Sequence, residues 1–244
     1  MKLTFGATLY SIKIHKSFLA LCAIFFILFL MLSSWQLQRY HYKKNLLQTY
    51  ETRLTMQPKP FNEILHEADW EFLQVSVAGQ YENSLIMLVQ NHLHDGKLGF
   101  EVLTPMHVVD SNKLLLVDRG WVEKPLNQSY PMIPDVQTPQ QIVGYLKSYH
   151  EYQFILGNNI LEPEKKPLVM QKIDMQEISN VTKKEFYPYV LRLNPDTDNG
   201  FVREWVISSV PPARHVMYAL QWLAFALVVM IGFVYFSLER VTHE

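Results

Sequence analysis

The stretch SFLALCAIFFILFLMLSSW, residues 17–35, contains no charged side chain. It comes close to the roughly 20 residues that a helix needs to cross the hydrocarbon of a bilayer. A second run, VMYALQWLAFALVVMIGFVYFSL at residues 216–238, repeats the pattern near the other end. The first run is long for the apolar region of a cleaved signal peptide, and Ser33-Ser34-Trp35-Gln36 makes a poor A-x-A-like cleavage site. The second is apolar all round, which suits lipid better than a protein core. Together they predict a membrane protein with one transmembrane helix at each end and a folded domain between them.

Local charge does not orient the first helix, because Lys2, Lys13 and Lys16 before it balance Arg39, Lys43 and Lys44 after it. The segment between the runs far exceeds the roughly 60 residues over which the positive-inside rule operates, so the short basic N-terminal tail decides. The expected organisation is a cytoplasmic tail (1–16), a first transmembrane helix (17–35), an extracytoplasmic domain with a helical stalk (36–215), a second transmembrane helix (216–238) and a second cytoplasmic tail (239–244).

Composition narrows the function classes. Lys and Arg total 22 against 23 Asp and Glu, a net charge of -1, so no positive field is present to hold a nucleic-acid backbone. The one cysteine, Cys22, lies inside the first apolar run. That excludes disulfides, zinc-thiolate sites and cysteine nucleophiles from the intervening domain.

After Trp35 a helical period continues through Leu37, Tyr40, Leu47 and Leu54, until Pro58 and Pro60 stop it. Phe61 to Ala68 reads as a short amphipathic helix. Runs rich in Val, Ile, Leu, Tyr and Phe follow at Glu71 to Tyr81, Leu85 to Asn91, Phe100 to Val109, Lys113 to Val122, Gln141 to His150, Pro167 to Ile173, Phe186 to Leu193 and Val202 to Ser208. They predict a mainly β (α+β) domain, a barrel or a sandwich. Asn91 to Gly99, with two glycines, and Asp110-Ser111-Asn112 read as hairpin connections. Asp174 to Lys184 predicts a further helix with an aspartate N-cap and lysines at its far end. Pro125 to Pro139 is the one long loop.

The chain has no G-x-G-x-x-G, no Walker loop and no G-x-S-x-G elbow, which argues against dinucleotide, nucleotide triphosphate and esterase chemistry. His92-x-His94 has the spacing of a ligand pair on an extended strand, but with no further ligand in view it reads as an exposed loop. Glu63/Glu67 and Glu162/Glu164 read as solvated faces. Asp118-Arg119-Gly120-Trp121 ends a strongly apolar strand. Its structural explanation is a bulge at Gly120, a tryptophan covering the core and an arginine paired with a carboxylate such as Asp118 or Glu123. At the start of the second apolar run, His215, Tyr218 and Trp222 fall at steps of three and four, with Gln221 beside them. An interfacial aromatic belt accounts for Tyr218 and Trp222. His215 and Gln221 leave two explanations open, since an imidazole there can ligate haem iron and an intramembrane amide wants a partner.

Four stretches, in order, carry a family resemblance: Trp35-Gln36-Leu37-Gln38-Arg39; Gly79-Gln80-Tyr81 followed by Gly99-Phe100-Glu101-Val102-Leu103-Thr104-Pro105; Leu116-Val117-Asp118-Arg119-Gly120-Trp121-Val122; and His215-x-x-Tyr218-Ala219-x-x-Trp222. Their order and spacing resemble the surfeit locus protein one family, assembly factors for haem-copper terminal oxidases such as cytochrome c oxidase. The resemblance implies two anchors around an outward-facing domain and a non-catalytic role in maturing oxidase subunit I, by delivering or retaining haem a. It implies His215 as the haem ligand, with Tyr218, Gln221 and Trp222 around the cofactor, and Trp35, Gln36, Arg39, Arg119, Gly120 and Trp121 as structural or partner contacts. The implied partners are subunit I, other assembly factors or haem a synthase, and the membrane. The alternatives are a scaffold that binds no haem, or an envelope assembly or sensor protein. This chain departs from the family pattern at Asp118, where Asn is common, at Asn91-His92, where Asn-Arg is usual, and at Ala213-Arg214, where Asn or His often precedes the histidine. Its N-terminal residues are not the Arg- and Ser-rich stretch of a transit peptide, so a bacterial inner membrane is expected over the mitochondrial one.

Overall fold

The computed structural model describes residues 2–5, 8–12, 14–149, 159, 161–162, 164–208 and 210–240. Its elements run β1 (Lys2–Phe5), β2 (Thr8–Ile12), α1 (Lys16–Leu54), β3 (Lys59–Pro60), β4 (Gln74–Tyr81), β5 (Met87–His94), β6 (Lys97–Val108) and β7 (Leu114–Glu123). They continue with β8 (Gln140–Lys147), β9 (Leu168–Met170), α2 (Met175–Thr182), β10 (Phe186–Leu193), α3 (Pro212–Ser237) and β11 (Leu238–Arg240). The chain divides into two compact units, one made of Met1–Gln48 and Val206–Glu244 and the other of Thr49–Trp205.

In the first unit, α1 and α3 are both long and apolar enough to cross a membrane. Where they meet, each uses a narrow stripe of residues on one face. On α1 the stripe includes Phe18, Phe29, Ser33 and Gln36; on α3 it includes Ala219, Trp222, Ala226 and Phe233. Phe18 stacks on Phe233 and Phe29 on Trp222, with ring centroids 5.9 and 5.7 Å apart. Ala219 and Ala226 are buried, and such small residues let helix backbones approach in a bilayer. The two ends of the chain add a small antiparallel sheet, in which β2 lies between β1 and β11. No strand was expected at either tail.

The second unit is the β domain. β4 pairs with β8, β8 with β10, β10 with β7 and β7 with β6, and β6 returns to β4 through Gly79 to Tyr81. The ring is a closed five-strand barrel. Period-two alternation fills its interior with Val75, Val77, Met106, Val108, Leu115, Val117, Ile142, Leu191 and Leu193. The β7–β10 pairing is parallel, the others in the ring antiparallel. Outside the barrel, β5 and β9 extend the sheet, and with α2 they cover a second apolar cluster that includes Met87, Leu103, Leu116, Ile178 and Val190.

Several elements depart from the expected ones. The β5–β6 hairpin turns at Asp95-Gly96 alone, both residues at positive φ as a type I′ turn requires, so Asn91 to His94 and Lys97 to Gly99 are strand. His92 and His94 therefore lie on a strand and not in a loop. Phe61 to Ala68 is reduced to a 3-10 turn, Phe61–Ile64, whose two ends plug the barrel. Val202 to Ser208 is no strand. Only Val202 pairs, with Trp121, and the segment is tied instead by side chains: Trp205 donates Nε1–H to the Leu193 carbonyl at 2.9 Å, and Arg203 donates to the Asn194 and Thr197 carbonyls. The strand expected from Gln141 to His150 ends at Lys147, and His150 lies outside the described residues. The helix after Asp174 forms as expected, with the Asp174 carboxylate accepting from the Glu177 N–H at 3.1 Å.

Candidate functional site

In the helix pair, the first turn of α3 places His215 against α1. Its Nδ1 lies 2.8 Å from the Gln36 side-chain oxygen. Its Nε2 is buried and has no hydrogen-bond partner. One turn away, the Ser33 hydroxyl donates to the Ala219 carbonyl at 3.0 Å. Trp222, Phe29 and Phe225 form a triangle of rings, with each pair of centroids 5.7 Å apart. Of the four residues expected around a cofactor, His215 and Trp222 share the inward stripe. Tyr218 and Gln221 are on the exposed side of α3. On α1, Gln36 faces the seam, Trp35 is exposed, and Arg39 is also exposed with its guanidinium carbon 5.5 Å from the Tyr42 ring centroid.

In the β domain, Asp118-Arg119-Gly120-Trp121 forms the expected bulge. Glu101 opposes Trp121 and Leu103 opposes Asp118, so Val102 faces both Arg119 and Gly120. Gly120 holds φ +107, and a Cβ there would stand 2.5 Å from the Val202 carbonyl oxygen. The bulge frees the Arg119 and Trp121 backbones to pair outward, with the Phe201 N–H donating to the Arg119 carbonyl and the Val202 N–H to the Trp121 carbonyl.

The arginine does not pair with a carboxylate as expected. Glu123 binds Lys97 at 2.7 Å and Asp118 binds Arg192. Arg119 is 2% exposed, and among the described residues no acidic group contacts it. It donates Nε–H to the Asn199 carbonyl at 2.8 Å and lies over the Tyr81 and Phe201 rings, 5.2 and 5.1 Å from their centroids. Burial pushes the Tyr81 phenol up to about 12, and its hydroxyl has no partner. Trp121 donates Nε1–H to the His92 carbonyl at 3.0 Å, with its ring 5.0 Å from that of His94.

On the outer wall of the barrel a buried polar group escaped sequence reasoning. Arg192 reaches Asp118 at 3.3 Å and Glu101 at 3.4 Å, and its guanidinium lies 4.6 Å from the Trp205 ring centroid. Tyr149 donates its hydroxyl to Asp118 at 3.1 Å. Burial first, and then the Glu101 charge, push the Asp118 carboxyl well above the usual carboxylate range, while Arg192 pulls the other way. The second Glu101 oxygen has no hydrogen bond and lies 3.7 Å from His92 Nδ1. Burial pushes the His92 imidazole down, toward its neutral form. Among the described residues no group of three or more His, Cys, Asp or Glu could hold a metal ion.

A closed five-strand barrel in a chain with an apolar helix toward each end defines a membrane-associated protein with a folded β domain. The chain belongs to the SURF1 family, whose model matches residues 23–227. It is 24% identical over 234 residues to an uncharacterised SURF1-like protein of Mycobacterium tuberculosis, covering 91% of this chain and 83% of that one. A SURF1-like protein of Rickettsia felis is 24% identical over 220 residues, 86% of this chain and 92% of the relative. The cytochrome oxidase assembly protein SHY1 of Saccharomyces cerevisiae is 31% identical over 97 residues, 38% of this chain and 25% of the yeast protein.

Proposed function

We propose that this chain is a non-catalytic assembly factor for a haem-copper terminal oxidase, and that it holds haem a on the way to subunit I. The observation that carries the haem role is the buried, unpartnered Nε2 of His215. Buried polar atoms are rarely left unsatisfied without a reason, and an imidazole lone pair is a standard axial ligand for haem iron. The surroundings fit such a group: Phe29 and Trp222 supply flat apolar surface on the α1–α3 stripe, and Phe225, exposed beside them, extends it outward. When bound, haem a would bring an iron that takes one protein nitrogen. Tyr218 and Gln221, exposed on α3, would border it from outside the seam.

Membership of the SURF1 family and the similarity to a yeast cytochrome oxidase assembly protein support oxidase assembly. Subunit I, haem a synthase and other assembly factors are the partners this role requires. The long matches to mycobacterial and rickettsial relatives support a bacterial inner membrane. The β2–β11 pairing supports both chain ends lying on one side, here the cytoplasmic one, with 36–215 outside. Reporter fusions after Pro134 and at the C-terminus check this, and a cytoplasmic signal from the Pro134 fusion would reverse it.

The haem role is tested on detergent-purified protein loaded with haem a. His215→Ala should shift the Soret band, and an unchanged spectrum would overturn ligation by this residue. A scaffold role is favoured by Leu126 and Met132, which are 101% and 85% exposed in the Pro125 to Pro139 loop. Oxidase activity in a deletion strain separates the two: Arg119 and Trp121 variants, and not His215→Ala, would then be the defective complements. Normal oxidase spectra in the deletion strain would remove both and leave a sensor or envelope role.

A further inference from the structure

His215 is presented in one particular protonation pattern, and the group that sets it is on the other helix. The imidazole Nδ1 and the Gln36 oxygen are 2.8 Å apart. A carboxamide oxygen can only accept, so Nδ1 must donate. A neutral imidazole with its proton on Nδ1 has a bare lone pair on Nε2, the atom found buried without a partner. Turning the amide over would reverse this. Nδ1 would accept from the amide nitrogen, and Nε2 would become a buried N–H with no acceptor. Orphaned buried N–H groups are rarer than under-used acceptors, which selects the first arrangement.

The contact is also held in place. Gln36 lies three residues after Ser33 on α1, and His215 lies four before Ala219 on α3. The Ser33–Ala219 bond and the Gln36–His215 bond therefore sit one turn apart on the same seam and fix one register between the helices. Ser33 and Ala219 are buried, so the register is closely packed where the bond forms.

We infer that Gln36 is the positioning residue of this site, holding His215 as the Nδ1–H form so that the Nε2 lone pair is free for a metal centre. Metal-bound histidines commonly donate their other ring N–H to an oxygen, which fixes tautomer and ring orientation. The metal centre itself rests on the haem role proposed above, but the tautomer does not.

The test uses the full chain in lipid nanodiscs, without haem, labelled with nitrogen-15 histidine, and His215 signals assigned by their loss in His215→Ala. The wild type should show a protonated Nδ1 and an unprotonated Nε2. Gln36→Leu should give a mixture of tautomers, and Gln36→Glu, which keeps an acceptor oxygen, should retain the wild-type pattern. A proton on Nε2 in the wild type, or an unchanged pattern in Gln36→Leu, overturns the inference. Titration with haem a then reads the consequence, a loss of affinity of about 10–100-fold in Gln36→Leu. Equal haem affinity in wild type and His215→Ala would sink the haem role while leaving the tautomer result standing.

Discussion

Asp118 and Arg192 are register partners across the parallel β7–β10 pairing, and their side chains meet at 3.3 Å on the outer wall of the barrel. Glu101, on the other side of β7, reaches the same guanidinium. Burial first, and then the second carboxylate at Glu101, raise the Asp118 pKa against the pull of the single cation.

That imbalance makes stability depend on pH. A carboxyl whose folded pKa is raised contributes stability that is complete below its unfolded value, near 3.8, and is lost as pH rises through the folded value. Asp118→Asn removes the titration, so its stability relative to wild type should improve as pH rises above about 4. Urea denaturation across pH checks this; parallel curves would contradict it. Arg192→Met, which leaves both acids without their cation, should cost about 3–5 kcal/mol at neutral pH.

Arg119 is held by two ring faces and a backbone carbonyl. Arg119→Lys keeps the charge but loses the planar group, and lysine does not substitute for arginine at stacked sites. A loss of about 1–3 kcal/mol is expected by thermal or urea unfolding. A full rescue by lysine would show that charge alone matters there.

Gly120→Ala should be worse than an ordinary glycine replacement, because φ +107 is strained for any side chain and the new methyl meets the Val202 carbonyl. About 1–3 kcal/mol is the expected loss. Hydrogen exchange should show faster exchange at the Trp121 and Val202 amides, which pair across the bulge.

Ser33→Ala removes the hydroxyl bonded to Ala219. Interhelical hydrogen bonds in bilayers are worth about 1 kcal/mol, so the helix pair should loosen by that amount in a detergent-denaturation assay. A change of several kcal/mol would mean that Ser33 supports more than one contact.

Much of the β domain was legible because barrel strands must alternate: Phe186 to Leu193 matches β10 end to end, and the other long runs found their strands within a few residues. Asp174 marked its helix because an N-cap is a local device. Val202 to Ser208 misled because its apolar residues pack without a neighbouring ladder, and composition cannot tell those cases apart. The Asp95-Gly96 turn is written in the sequence as an Asp-Gly pair, but the polar residues on both sides of it and the second glycine at Gly99 give Asn91 to Gly99 the composition of a longer connection. The partner of Arg119 could not be read, since the rings beside it come from β4 and from Phe201, far away in sequence. For the same reason Glu101 and Arg192, 91 residues apart, meet only once the barrel has closed. On α3, helical spacing grouped His215 with Trp222 correctly, but only the partner helix decides that Tyr218 and Gln221 face away.

Closure of β4 onto β6 also determines how this domain can meet other proteins. A ring of strands offers no long ladder to an incoming chain, and the sheet ends at β3 and β9 are two and three residues long. Beyond β9, the overhang of β5 from Gln90 to His94 is interrupted by Asn91 in a left-handed conformation, which spoils it as a straight template. Among the described residues, recruitment by adding a strand is thereby disfavoured, which leaves side chains and loops on the outside of the barrel as the surface for a binding partner.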